Sequence, residues 1–205
     1  MKREEKSRLT KEKLFKVAMD LVDKKGYENI TVSEICKEAG VAKGTFYVHF
    51  ESKDDIIKAN YYEDMSKYIF KKLDIYVLEK YRKFDLENNN IQIKEKIKFF
   101  VKLENEYIEK MGYKLTSRAF ITNLTDSIND RKSNFDNRAY SEPLKFLIEQ
   151  GIDSGEFKKG RTKGEVFLII DSFTRGLAFQ WCLTKGDIRV LESGLIAFYE
   201  IIENL

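Results

Sequence analysis

Residues 31–50 of the chain read TVSEICKEAGVAKGTFYVHF, and this stretch decides the fold. Residues 31–34 are predicted to form a capping box, in which Thr31 caps the helix forward and the Glu34 carboxylate reaches back to the cap; this is the signature of a helix N-terminus. This helix ends at Gly40, and only Gly40 and Val41 separate it from a second short amphipathic segment. Two short helices joined by a tight turn that contains glycine form a helix-turn-helix.

The second segment of this motif, residues 42–50, has two different faces. Val41, Phe46 and Phe50 are expected to anchor one side in a hydrophobic core. The other side is small at one end, rich in hydroxyl groups, and carries an amine and an imidazole. Its residues are Lys43, Gly44, Thr45, Tyr47, Val48 and His49. Such a surface fits the major groove of DNA, and its donors can reach phosphates, although Lys43 and His49 could also be ordinary solvated residues.

Helical signals continue on both sides of the motif. Upstream, Thr10 is a candidate N-cap for a first helix that ends at Gly26. The apolar positions of that helix follow one stripe: Leu14, Val17, Ala18, Leu21 and Val22. Downstream, Ser52 is expected to cap a fourth helix whose first turn contains Asp54 and Asp55, where carboxylates complement the helix dipole. Thr162 is expected to cap a later, long apolar helix.

The composition favours helices throughout. The chain has 205 residues, 11 glycines and a single proline, which is too few turn residues for a β fold of many strands. We predict an all-α fold of about nine to ten helices with a sizeable core. The asparagine-rich segment 85–90 is predicted to be a loop, and the following helices include apolar positions such as Phe135 and Tyr140. Pro143 either kinks a helix or starts one that Ser141 caps.

Charge and cysteine usage exclude several classes of protein. The net charge of +3 is too small to indicate nucleic-acid binding by itself, although seven basic side chains fall in residues 2–16. Cys36 and Cys182 fit no metal or redox spacing, and Cys36 is expected to be a small core residue. The N-terminus does not resemble a signal peptide, and the most apolar run, residues 166–170, is too short for a membrane helix. We therefore expect a cytoplasmic protein without a membrane segment, metal or cofactor.

Residues 10–57 resemble the DNA-binding domain of the TetR/AcrR family of bacterial transcriptional regulators. The resemblance lies in residues 31–35 and 40–50 and in the Ser-Lys-acidic cap at residues 52–56. It implies a helix-turn-helix domain at residues 1–53, with the motif at about 31–50, and a larger effector-binding and dimerisation domain at residues 54–205. It also implies a homodimer, in which the last two long helices pair with their mates, that reads double-stranded operator DNA. A small, partly apolar effector would release this repressor.

The resemblance also assigns DNA-contacting residues. Lys43 and Thr45 would approach bases or phosphates, Tyr47 and His49 would contact the backbone, and Lys53 would hold a further phosphate. Many family members carry a second large aromatic residue where this chain has valine. The full predicted set is Thr31, Ser33, Ala42, Lys43, Gly44, Thr45, Tyr47, Val48, His49 and Lys53.

Two other functions remain open at the level of sequence. One is a helical small-molecule carrier, and the other is a DNA-binding or nucleoid protein without an effector. An enzyme is not expected, because the chain has no nucleophile-elbow, P-loop, paired-cysteine, zinc-protease or dinucleotide motif. The aromatic residues of the C-terminal part could line an effector cavity or fill the core, so no pocket residue is assigned. They are Phe99, Phe100, Tyr107, Phe120, Phe173, Phe179 and Trp181.

Overall fold

The computed structural model describes residues 3–83, 92–129 and 141–205, and all regular secondary structure in these ranges is helical. The predicted all-α fold class is confirmed. The segment 85–90 and the positions Phe135 and Tyr140 lie outside the described residues. The elements are α1 (Arg3–Lys25), a 3-10 turn (Tyr27–Asn29), α2 (Val32–Ala39), α3 (Lys43–His49), α4 (Lys53–Lys83), α5 (Ile93–Met111), α6 (Tyr113–Ile128), α7 (Glu142–Asp153), α8 (Lys163–Leu183) and α9 (Ile188–Glu203).

The chain divides into two compact units that are not contiguous in sequence. The first unit contains residues 1–61 and 118–136, and the second contains residues 62–117 and 137–205. Helices α4 and α6 therefore each contribute residues to both units. The first unit includes the start of α4 and the part of α6 that begins at Arg118.

The first unit is built around α1, α2 and α3. Its core includes Leu14, Ile35 and Phe46, which are fully buried. Thr31 caps α2 as predicted, since its hydroxyl accepts a hydrogen bond from the Glu34 amide at 3.2 Å. The Glu34 carboxylate does not return to the cap but pairs with Lys25 on α1.

The turn between α2 and α3 depends on Gly40. Its φ of 64° and ψ of 38° lie in the left-handed region that glycine adopts most readily. The Gly40 amide donates to the Lys37 carbonyl at 3.1 Å, and the Val41 amide donates to the Cys36 carbonyl at 3.0 Å. These bonds satisfy the last carbonyl groups of α2 and turn the chain directly into α3.

The start of α1 differs from the sequence prediction. Thr10 is inside the helix, which begins at Arg3, and the Thr10 hydroxyl donates to the Lys6 carbonyl at 2.8 Å. A threonine side chain can bond either to a free amide at a helix start or back to the preceding turn, and here it does the latter.

The second unit is a packed set of helices in which α5 contacts α7, α8 and α9. Its core includes Ile97, Phe100 and Phe198, which are fully buried. Glu156 caps α5, since its carboxylate accepts from the amides of Ile93 at 2.9 Å and Lys94 at 3.1 Å. This carboxylate satisfies two of the free amides that every helix start presents.

Pro143 marks a helix start. Ser141 occupies the N-cap position of α7, but its side chain makes no cap hydrogen bond there. Pro143 lies in the first turn, where its missing amide hydrogen costs no hydrogen bond. Thr162 caps α8 as predicted, and a full capping box forms because Glu165 accepts from the Thr162 amide at 2.8 Å.

Helix α8 is, within the described residues, the one helix long and apolar enough to cross a membrane by length and composition. The core helix of a folded domain meets the same criteria, and α8 packs against α7 and α9. Its residues Val166, Ile170 and Trp181 are buried there, and Asp171 and Arg175 form an ion pair at 2.6 Å.

Gly151, in α7, predicts a large stability effect. A Cβ atom at this position would lie 2.5 Å from Cε2 of Phe157 and 3.2 Å from Cγ2 of Ile93, and both of these residues are buried. We expect Gly151→Val to destabilise the protein by about 3 kcal/mol through overpacking. For a chain of this size, that corresponds to a melting temperature lower by about 6–12 °C in circular dichroism.

The matched control for this experiment is Gly164→Val. Gly164 is exposed in the first turn of α8, and a Cβ atom there would meet nothing within 4 Å. An equal loss of stability in both variants would show that helix propensity, and not packing around Gly151, is responsible.

Candidate nucleic-acid interface and a ligand-sized groove

Helix α3 is held in the first unit by its aromatic side. Phe46 and Phe50 are buried, with ring centroids 5.5 Å apart. The Tyr47 ring meets the Phe46 ring edge-on at 5.4 Å, which supports the tyrosine while its other side stays in solvent. This packing fixes the rotation of α3 about its axis and so determines which residues point outward.

Four of the six residues that the sequence places on the outward side of α3 are exposed. Val48 is 79% exposed and Tyr47 is 57% exposed, which are large values for apolar and aromatic residues. Lys43 and Gly44 are also exposed, and a Cβ atom on Gly44 would meet nothing within 4 Å. These four residues form a continuous surface that a DNA groove can approach without rearrangement.

The remaining predicted residues surround this surface. Thr31, Ser33 and Ala42 are exposed, whereas Thr45 and His49 are half-buried. The Thr31 hydroxyl already accepts a hydrogen bond from the backbone of α2, so its own hydrogen is the group left for a phosphate.

A small cleft lies beside His49, at the end of α3. It has a volume of about 440 Å³ and is lined by residues of α1 and by the imidazole. Two of the lining residues, Arg8 and Lys11, belong to the basic segment noted in the sequence. The cleft thus brings part of that segment to the same edge as His49, together with Glu4, and Arg8 is paired with Glu12 at 2.7 Å.

Lys53 is positioned differently from the other basic residues. Its ammonium group donates to the Tyr27 carbonyl at 2.9 Å and to the Ile30 carbonyl at 3.0 Å. The same nitrogen lies 4.2 Å from the centroid of the Tyr27 ring. An ammonium group has three hydrogens, so a phosphate contact by Lys53 would use the third.

Ser52 and Cys36 take the roles that the sequence predicts for them. The Ser52 hydroxyl accepts from the Asp55 amide at 3.1 Å and caps α4. Cys36 is buried, and burial raises the pKa of its thiol above the ordinary value, which suits a packing role and not a reactive one.

Sequence reasoning missed one cluster in this unit. The Arg118 guanidinium on α6 binds the Asp54 carboxylate on α4 through two hydrogen bonds, at 2.6 and 2.9 Å. The Tyr27 hydroxyl donates to the same carboxylate. Arg118 and Asp54 are separated by 64 positions, so no local pattern connects them.

The second unit contains a separate groove with a volume of about 790 Å³. Its walls come from α4, α5 and α7, and its exposed lining is mainly apolar. The lining residues are Phe70, Leu73, Asp74, Lys96, Glu142, Pro143, Phe146, Leu147 and Gln150. This volume is within the range of about 300–1,000 Å³ that is typical of small-molecule sites.

None of the seven aromatic residues considered from the sequence lines this groove. Phe100, Tyr107 and Trp181 are buried core residues, whereas Phe179 is 50% exposed on α8. The Phe99 ring stacks on the Tyr76 ring with centroids 3.9 Å apart.

Helices α8 and α9 carry a second apolar surface. Leu168, Phe179 and Leu183 are spaced by 11 and 4 positions, which places them on one side of α8, and each is at least half exposed. Ile196 on α9 is 65% exposed. Apolar side chains exposed together in this way are typical of protein–protein interfaces.

The described residues contain no group of three or more histidine, cysteine, aspartate or glutamate side chains that could hold a metal ion.

Comparison with known proteins bears on both units. The family model for bacterial regulatory proteins of the tetR family matches residues 14–59. The fatty acid metabolism regulator protein of Bacillus subtilis (strain 168) is 29% identical over 148 residues, which are 70% of this chain and 68% of that protein.

Two solved structures resemble the whole chain. The fatty acid degradation regulator FadR from Bacillus halodurans has a TM-score of 0.66 at 20% identity and covers 94% of this chain and 93% of its own. The transcriptional regulator FadR from Bacillus subtilis, solved with stearoyl-CoA, has a TM-score of 0.57 at 22% identity, with coverage of 93% and 94%. At these identities the structural similarity establishes a common fold.

Proposed function

We propose that this chain, which belongs to the tetR family of bacterial transcriptional regulators, is a dimeric cytoplasmic repressor that a long-chain acyl-coenzyme A releases from operator DNA. One observation carries the effector part of this proposal. It is the mainly apolar groove of about 790 Å³ in the second unit.

The DNA-binding part depends on the outward side of α3. Val48 reaches into a major groove, where an apolar side chain can contact a thymine methyl group. Lys43 and Thr45 approach bases or phosphates. Tyr47, His49 and the hydroxyl groups of Thr31 and Ser33 contact the phosphate backbone, which sets the register of the protein on the duplex.

The dimer forms through α8 and α9. Leu168, Phe179, Leu183 and Ile196 pack against the same residues of a second copy, as expected for an interface with two-fold symmetry. Two α3 helices in one dimer then read half-sites about 34–36 Å apart, which is one turn of DNA.

The effector binds in the groove with its acyl chain against apolar side chains. Phe70, Leu73, Phe146 and Leu147 supply this wall, and Phe146 is 59% exposed, so its ring is available to a ligand. Lys96 is the one cation among the lining residues and suits the anionic phosphates of coenzyme A. Two carboxylates, those of Asp74 and Glu142, also line the groove, and Lys145 offsets the charge of Glu142 from 2.7 Å away.

Release follows from differential binding. The effector binds more tightly to a dimer whose α3 helices do not match the half-sites. It therefore lowers the affinity for the operator by the same factor by which operator DNA lowers the affinity for the effector. Couplings of this kind change affinity by about 5–150-fold.

The proposal is tested by sequencing the DNA that the protein retains from its own genome, and then by titrating the recovered operator in fluorescence anisotropy. Stearoyl-CoA is expected to weaken operator binding at least about 5-fold, whereas coenzyme A alone and stearate alone have smaller effects. Phe146→Ser should bind the operator normally but lose most of this response.

The control variant is Ile75→Ser on α4. Ile75 is 45% exposed but does not line the groove, so this variant should respond to stearoyl-CoA as the unmodified chain does. Operator binding that is insensitive to acyl-coenzyme A of every chain length would contradict the effector assignment and leave the DNA-binding assignment intact.

A further inference from the structure

Three segments that are distant in sequence meet at the Asp54 carboxylate of the first unit. Arg118 Nε donates to Asp54 Oδ1 at 2.6 Å, and a terminal guanidinium nitrogen donates to Oδ2 at 2.9 Å. The Tyr27 hydroxyl also donates to Oδ1. This two-point pairing of a planar guanidinium with a carboxylate fixes orientation as well as distance.

Two cationic side chains lie close to the Tyr27 ring. It is 4% exposed, with the Lys53 ammonium 4.2 Å and the Arg118 guanidinium carbon 5.0 Å from its centroid. Both positively charged groups therefore lie close to the electron-rich ring, and this arrangement stabilises the contact. The cluster of Tyr27, Lys53, Asp54 and Arg118 is a single connected unit.

This cluster holds both ends of the helix-turn-helix. On the incoming side, Lys53 binds the Ile30 carbonyl, and Ile30 directly precedes the N-cap of α2. On the outgoing side, Lys53 and Asp54 open α4, only a few residues after α3 ends at His49. The two chain ends that enclose residues 31–50 are thus fixed to each other at one point.

The charge state of the cluster is stable at neutral pH. Burial alone would raise the pKa of the Asp54 carboxyl, but the hydrogen bonds from Arg118 and Tyr27 and the charge of Arg118 hold it below its ordinary value. Burial, followed by the hydrogen bond to Asp54, raises the pKa of Tyr27, so its hydroxyl keeps its proton.

Arg118 is the member that no neighbour in sequence can replace. Tyr27, Lys53 and Asp54 belong to the N-terminal segment of this unit, whereas Arg118 comes from α6. Without it, Asp54 would keep the Tyr27 hydroxyl but lose its bidentate partner.

We propose that Arg118 is a positioning residue for operator binding: through Asp54 and Tyr27 it holds the two ends of the helix-turn-helix in the arrangement that presents α3 to DNA. This inference rests on operator reading by α3 and does not depend on the identity of the effector. Arg118 itself needs no contact with DNA in this role. Its loss therefore lowers recognition of the operator more than it lowers general attraction to DNA.

The experiment compares Arg118→Gln, Asp54→Asn and the double variant in operator binding and in binding to a random duplex of equal length. Each single variant is expected to bind the operator about 10-fold more weakly, and the double variant no more weakly than either, because all three break one contact. The affinity of each variant for the random duplex should change no more than the affinity of the charge control Lys163→Gln.

Two further variants separate positioning from folding. Tyr27→Phe removes one hydroxyl and should weaken operator binding in the same direction, whereas Arg118→Lys should restore part of it. Circular dichroism of each variant monitors the helical fold. If Arg118→Gln has a much lower melting temperature than the unmodified chain, the operator affinities of Tyr27→Phe and Asp54→Asn test the positioning role instead.

The matched control is the pair of Glu149 and Lys163 in the second unit, 2.9 Å apart and exposed. Lys163→Gln removes one positive charge and one ion pair and is expected to leave operator binding almost unchanged. Operator affinity in Arg118→Gln equal to that of Lys163→Gln, or equal losses on operator and random DNA, would overturn the inference. If instead the unmodified chain does not distinguish its operator from random DNA, operator reading by α3 fails, and this inference, which rests on it, fails with it.

Discussion

A Val48→Glu variant is expected to bind operator DNA at least about 100-fold more weakly than the unmodified chain. Val48 is 79% exposed on the outward side of α3 and supports no packing in the first unit. A carboxylate at this point would face the negatively charged phosphate backbone, and like charges brought together at an interface cost several kcal/mol. The fold itself should be unaffected, so the melting temperature should stay the same.

The measurement is fluorescence anisotropy at a fixed salt concentration, since affinity for DNA depends strongly on salt. Ile75→Glu is the control, because it also adds one negative charge at an exposed apolar position, 45% exposed on α4. If Val48→Glu retains the affinity of Ile75→Glu, α3 does not face DNA with this side.

A second large effect is expected at the surface of α8 and α9. The double variant Phe179→Glu with Ile196→Glu should change a dimer of the 24.2 kDa chain into a monomer. Both side chains are at least half exposed, so the substitutions disturb the proposed interface more than the core. Because a monomer engages only one half-site, operator affinity should fall by about 100-fold or more.

Light scattering coupled to gel filtration measures the mass of the protein in solution, and a gel-shift assay measures its affinity for the operator. Phe146→Glu is the control, since Phe146 is an equally exposed aromatic residue of the second unit that does not belong to α8 or α9. A double variant that remains dimeric would place the dimer interface on another surface.

Local sequence signals were sufficient to predict the helix-turn-helix. The cap at Thr31, the stop at Gly40 and the aromatic side of α3 each act over four residues or fewer, and each is found in the structure as expected. The same holds for Thr162, whose capping box with Glu165 is complete. These features depend on neighbours along the chain, which is the information that a sequence displays directly.

Contacts between distant segments could not be predicted in this way. Asp54 was expected only to complement the dipole of α4, whereas it also binds Arg118 and Tyr27. Glu34 has the spacing of a capping box, but Lys25 on α1 takes its carboxylate. In each case a partner from another element binds the carboxylate, and no pattern of neighbouring residues shows that partner.

The lining of the groove and the start of the first helix could not be predicted from the sequence either. Aromatic residues at helical spacing fit a core or a cavity equally well, and only packing shows that Phe100 and Trp181 are core while Phe146 lines the groove. Thr10 has the residue type of an N-cap, yet helix α1 begins seven residues earlier, at Arg3. A capping residue therefore indicates a possible helix start, and the contacts of its hydroxyl determine whether the start is used.

The contribution of Arg118 to the first unit bears on how such regulators can be recombined. A chimera that joins residues 1–53 to the ligand module of another regulator would keep Tyr27 and Lys53 but would depend on the recipient for the carboxylate and the arginine that bind them. Exchange of DNA specificity between relatives should succeed more often when the recipient carries an aspartate and an arginine at the equivalent places, or when both are transplanted with the graft. Module swapping in this fold is therefore a matter of matched residues and not of a single cut point.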